Sequence, residues 1–147
     1  MPMDKVSLES PSVQSYLTIL QGVINRMATS SSSCKTWCIT LVSAVIVIIA
    51  DKGKPNYVWI SSIPIVLFLL LDSYYLFLEK HFRGVYEDIV RKLHFGTATI
   101  DDMFKIAPST GVAPTSIGIL RAGGSIAVWP FYALLTLMLV VVKAWVL

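Results

Sequence analysis

The sequence predicts an all-α membrane protein: about three transmembrane helices, an amphipathic N-terminal helix and a long cytoplasmic extension of the second span, assembled as a cyclic homo-oligomer. Three observations carry that expectation. First, 12 Lys+Arg and 9 Asp+Glu make only 14% of the 147 residues charged while 55% are hydrophobic, and mean hydropathy is +0.70. A soluble domain carries about 25% charged residues, because a small protein needs them to cover its surface. Second, three apolar runs approach the roughly 20 residues that cross a bilayer core: Trp37 to Ala50, Tyr57 to Leu78, and Ile126 to Val142 with its continuation to Leu147. Third, the polar stretches between them repeat at helical spacing. No length is left for a separate soluble catalytic domain, and the whole chain, 1–147, reads as one membrane domain.

The first element is an amphipathic helix over 10–29. Ser10 followed by Pro11 is an N-cap and first-turn signal, and Val13, Leu17, Leu20, Ile24 and Met27 recur at spacings of 4, 3, 4 and 3. Ser15, Thr18, Gln21 and Asn25 occupy the opposite face, with Arg26 nearby. Such a helix either lies on the inner leaflet or packs against other protein helices, and its single basic residue favours packing. The Ser30 to Ser33 run reads as a polar hinge into the first span, 35–50. Cys34 and Cys38, one helical turn apart, read as reduced packing residues, since a metal site wants further Cys or His at ligand spacing. No metal or other cofactor is expected.

The second span, 57–78, contains Pro64, which predicts a kink, and it continues in register to about 94. Leu78, Phe82, Val85, Ile89 and Leu93 form its apolar stripe, with i,i+4 pairs Glu79/Arg83, Glu87/Arg91 and Asp88/Lys92. Gly96 marks its end. Over 99–121, Thr99 and Asp102 suggest a capped short helix through Phe104 and Lys105, followed by a turn-rich loop, APSTGVAPTS. The third span is 125–147.

Charge orients the chain. Lys5, Arg26 and Lys35 precede the first span, and Lys80, Arg83, Arg91, Lys92, Lys105 and Arg121 lie between the second and third; Lys52 and Lys54 alone lie between the first and second. The positive-inside rule then places the N-terminus in the cytoplasm of a multi-pass protein of the cell inner membrane. A cleaved signal peptide is not expected, because residues 1–33 are polar where an apolar core should follow the basic region.

Asp72 is the informative acid. At the bilayer centre such a group costs at least about 2.5–3.5 kcal/mol and faces water or the bundle interior; near a helix end it is an interfacial acid. Ser61, Ile65, Phe68, Asp72, Tyr75 and Glu79 share one stripe, polar at its ends and apolar in the middle, and are the candidate pore-lining residues. Three spans enclose no aqueous path, so a channel requires several subunits, a tetramer among the candidate sizes.

Lys80, Arg83, Arg91, Lys92, Lys105 and Arg121 are the candidate ligand-binding residues. They either follow the positive-inside rule and satisfy neighbouring acids, or form a basic collar that neutralises a polyanion, with Phe82, Tyr86, His94 and Phe95 available for base stacking. Catalysis is not expected: the spans hold one acid, no His, and serines without a base.

The segment LQGVINRMA, the Ser-rich joint leading to CKTWCITLVSAVIVIIADK, and YLFLEKHFRGVYEDIVRKL resemble the small membrane effectors of bacterial anti-phage defence. These include SLATT-type effectors and the channel effector of the Hailong system; the likeness covers Tyr16 to Leu93. The resemblance implies an oligomeric ion channel gated by a nucleotide or single-stranded DNA made by a partner nucleotidyltransferase, depolarising the membrane when active. SLATT proteins commonly have two spans, and the third span departs from that pattern. A non-conducting scaffold that recruits a soluble partner and a holin-like lysis pore are the alternatives.

Overall fold

The computed structural model describes residues 10–52, 55–103 and 116–145. Helix makes up 89% of them, with no strand among the described residues. Four α-helices occur among them: α1 (Pro11–Asp51), α2 (Ser62–His94), α3 (Ser116–Gly123) and α4 (Trp129–Trp145), with 3-10 segments at Pro55–Ser61 and Ile100–Asp102. By helical rise α1 is about 61 Å long and α2 about 50 Å. Both are long and apolar enough to cross a membrane, whereas α4 is a shorter apolar helix.

The N-terminal helix and the first span form one helix. Pro11 occupies the first turn, and the Ser10 carbonyl accepts from the N–H groups of Val13 and Gln14 at 3.0 and 3.2 Å. In place of a hinge, Ser30–Ser33 continue the α-helix. Serine weakens helices because its hydroxyl competes for the backbone; here the Ser31 hydroxyl is buried and donates to Asp72 of α2 instead. Tertiary pairing therefore overrides local propensity.

α1 and α2 form an antiparallel hairpin. Contacts descend it in register: Cys38 Sγ to the Pro64 carbonyl at 3.9 Å, Ser31 to Asp72, and Gln21 Nε2 donating to Tyr86 Oη at 3.2 Å. Two apolar cores hold it. The lower core packs Val13, Tyr16 and Leu20 of α1 on Ile89 and Leu93 of α2, closed by Ala98 and Met103. The N-terminal half of α1 thus packs on protein, with Tyr16 fully buried and Leu17 at the core's edge. The upper core joins Cys38 and Val42 to Val58, Ile65, Leu76, Ala122, Val128 and three residues of α4, Tyr132, Leu135 and Leu139.

Pro64 is the third residue of α2, just after the 3-10 segment. Its missing N–H there removes no α-helical bond, so the junction is a change of winding rather than a break. At the other end Gly96 adopts φ +64. Gly96 N–H bonds to the Leu93 carbonyl and Thr97 N–H to the Lys92 carbonyl, at 3.1 and 2.9 Å, the reciprocal pair of a Schellman cap.

The loop expected before the third apolar run contains α3. Gly123 at its end lies so close to α2 that a Cβ there would meet Ser73 Oγ at 2.9 Å, a small-residue contact of the kind that lets helices approach in lipid. The run from Ile126 begins as turn, with Val128 and Trp129 N–H groups on the Ser125 carbonyl, and becomes helical at Trp129 with Pro130 in the first turn. α4 runs antiparallel to α2: Lys80 Nζ donates to Ser125 Oγ at 3.3 Å, Tyr132 Oη to the Phe68 carbonyl at 3.0 Å, and Lys143 Nζ lies 4.7 Å from the Trp59 ring centre.

Candidate functional site

The polar centre of the hairpin is built from three residues. Asp72 is fully buried, Oδ1 accepting from Ser31 Oγ and Oδ2 lying 2.7 Å from Lys35 Nζ, which is also 3.3 Å from Ser31 Oγ. Lys35 keeps a quarter of its side chain exposed and so links the buried carboxylate to the surface. Breaking such a pair by removing one partner costs about 3–5 kcal/mol, because the remaining charge stays buried. The sequence does hold a signal for Lys35 as the partner of Asp72: residues 36–50 and 57–71 are apolar runs of equal length. Joined by a short turn and folded antiparallel, equal runs bring their flanking charges to one level.

The α2 stripe turns inward. Ser61, Ile65 and Asp72 are buried, Phe68 packs on the upper core, and Tyr75 and Glu79 are half-buried. Ser61 Oγ is buried without a hydrogen-bond partner among the described residues. This face is covered by α1 and α4 of the same chain.

The outward faces differ sharply between helices. α2 presents Ile63, Val66, Leu67, Leu70 and Tyr74, and α4 presents Leu134, Leu137, Met138, Val140 and Val141, all exposed. α1 exposes apolar residues too, among them Trp37, Ile39, Leu41, Val47 and Ile48, but it also carries a row of hydroxyls, Thr29, Ser32, Ser33, Thr36, Thr40 and Ser43. Apart from the adjacent Ser32 and Ser33, these hydroxyls recur every three or four residues, and at 100° per residue they centre directly opposite the face that α1 packs on α2. Below them the same line continues through Asn25, Gly22, Thr18 and Gln14, giving an uncharged polar face about 44 Å long. Thr40 Oγ1 donates to the Thr36 carbonyl at 2.9 Å and Thr36 Oγ1 to the Ser32 carbonyl at 3.4 Å, so each keeps its oxygen free to accept. The lower part of this face is visible in the sequence as Ser15, Thr18, Gln21 and Asn25; a hinge at Ser30–Ser33 would have cut it from its continuation.

The basic residues divide into two levels on α2. Lys80 bonds Ser125, and Arg83 pairs with Glu79 at 2.6 Å. Arg91 pairs with Asp88 at 2.6 Å, so the partner is Asp88 rather than the expected Glu87. Lys92 lies between two acids, 3.3 Å from Asp88 and 2.8 Å from Asp102. Asp102 also accepts from the Thr99 hydroxyl and N–H, closing a capping box. The Lys92 ammonium first, then the Thr99 donors, hold the Asp102 carboxyl well below the usual carboxylate range. Arg91, then Lys92, lower Asp88, and Asp102 in turn raises Lys92. Arg121, at the end of α3, is exposed; Lys105 and the adjoining loop lie outside the described residues.

Comparison with protein-family models, with curated proteins and with solved structures gives no match for this chain.

Proposed function

We propose that the chain is one subunit of a homo-oligomeric membrane pore whose aqueous path is lined by the polar face of α1. The observation that carries this reading is the contrast of outward faces: at the same level, Thr136 and the Tyr74 hydroxyl are the polar exceptions on otherwise apolar outward faces of α2 and α4, while α1 carries a row of hydroxyls beside its exposed apolar residues. Lipid offers those hydroxyls no partners, whereas water inside a ring of α1 helices does. One chain cannot enclose such a path; a closed cyclic assembly can. The α2 stripe, covered within the chain, then serves as the rigid support of the lining helix. α1, α2 and α4 cross the inner membrane with the lower core on the cytoplasmic side.

On this reading the pore is an effector of anti-phage defence that depolarises the membrane, gated by a nucleotide or single-stranded oligonucleotide from a partner nucleotidyltransferase. The exposed guanidinium groups of Arg83 and Arg91 exchange Glu79 and Asp88 for phosphates, alongside Lys80 and Arg121. Lys92, tied to two carboxylates and a capping box, holds the collar turn. Purified protein in liposomes should conduct ions, and a single-stranded oligonucleotide should change that flux. The double variant Arg83→Glu, Arg91→Glu should weaken oligonucleotide binding and lower its log–log salt slope by about 0.7 for each phosphate that is no longer neutralised. Absence of flux would support the scaffold alternative, and unaltered binding would remove the collar.

A further inference from the structure

A cavity of 410 Å3 opens between α1 and α2, and its lining changes character along its length. Arg26 and the hydroxyls of Thr29 and Ser33 form one end, and Tyr75 stands beside them from α2. Trp37, Phe68 and Leu71 form the other end, with Trp37 exposed over 61% of its surface. From Arg26 to Trp37 the cavity runs about 16 Å down α1. Arg26 pairs with no carboxylate among the described residues, unlike Arg83 and Arg91.

We infer that this cavity is a site for one anionic phospholipid. The unpaired guanidinium and two hydroxyls, which precede the span 35–50 and so lie at headgroup level below the membrane-spanning hydroxyls Thr36, Thr40 and Ser43, match the donor needs of a phosphate headgroup, and the aromatic and leucine end matches an acyl chain running toward the membrane centre. Charge complementarity selects an anionic lipid: a zwitterionic headgroup brings its own ammonium to Arg26, whereas a net negative one does not. Tyr75 lies where amphipathic rings meet the headgroup layer. The inference rests on the proposed membrane insertion.

Its test is Trp37 fluorescence in the full chain with Trp59, Trp129 and Trp145 replaced by Phe, reconstituted in vesicles holding a small fraction of lipid brominated on its acyl chains. Brominated phosphatidylglycerol should quench Trp37 at about one-fifth the mole fraction that brominated phosphatidylcholine requires, the preference that one interfacial cation supplies. Arg26→Gln should abolish the difference while leaving quenching by phosphatidylcholine in place. Equal quenching by the two lipids in the unmutated background overturns the inference and leaves the membrane reading standing. Loss of the difference on adding inorganic phosphate, against chloride at equal ionic strength, would assign the site to a soluble phosphate and also overturn it. Protein that floats with the vesicles but is quenched by neither lipid has the cavity closed by a second copy, which overturns the inference too, and protein that does not float removes the membrane reading itself.

Discussion

Asp72 is the residue on which the hairpin's geometry turns. Its carboxylate is sealed between two helices, compensated by one ammonium and one hydroxyl, so the two charges stand or fall together. Lys35→Met alone should destabilise the protein by about 3 kcal/mol, whereas Lys35→Met combined with Asp72→Leu should recover most of that loss, because burying two apolar groups removes the desolvation term. Chemical denaturation in detergent checks both variants; a single variant as stable as the parent would show that Asp72 is neutral or solvated. An acid inside an apolar run was plain in the sequence. Its partner is legible only by matching the equal runs 36–50 and 57–71 across the hairpin, since pairing across 37 positions follows from register rather than from any local pattern.

At the scale of elements, the helices were legible wherever apolar spacing ran unbroken, and their ends wherever Pro11, Gly96 and the Thr99/Asp102 pair spelled out caps. The continuity of α1 through four serines was not legible, because local preference argues for a joint there and only the packing of Ser31 on α2 reverses it. α3 was hidden among turn residues; its contact of Gly123 on Ser73 is a feature of three-dimensional approach. The collar turn carries a pH signature. Asp102 is depressed, so its contribution is present above its ordinary value of 3.8 and is lost as pH falls through the depressed value. Lys92 is raised, so its contribution is present below 10.5 and is lost as pH rises through the raised value. Protection of the amides around Thr99 to Met103 in hydrogen exchange should therefore be greatest between those limits. Asp102→Asn should lower that protection by about 1 kcal/mol, the usual worth of a capping interaction, and should flatten the acid side of the profile. A profile unchanged by Asp102→Asn would separate the turn from this ion pair.

Taken as a whole, the molecule has one side suited to lipid and one that is not. α2 and α4 turn Val, Leu, Ile and Met outward, and α1 turns hydroxyls outward along a line opposite its own core. A monomer in a bilayer would leave that line facing hydrocarbon, and the proposed pore resolves this by gathering the α1 helices of several copies about an axis. The most direct test replaces Cys34 and Cys38 with Ala, places a single cysteine at Thr36, Thr40 or, as the lipid-facing control, Leu70, and records ion flux through reconstituted protein before and after a charged, water-soluble methanethiosulfonate. The reagent should block flux through Thr36→Cys and Thr40→Cys and leave Leu70→Cys unaffected. Flux that persists after treatment of both α1 variants, or block confined to Leu70→Cys, would contradict the assignment of α1 as the lining helix.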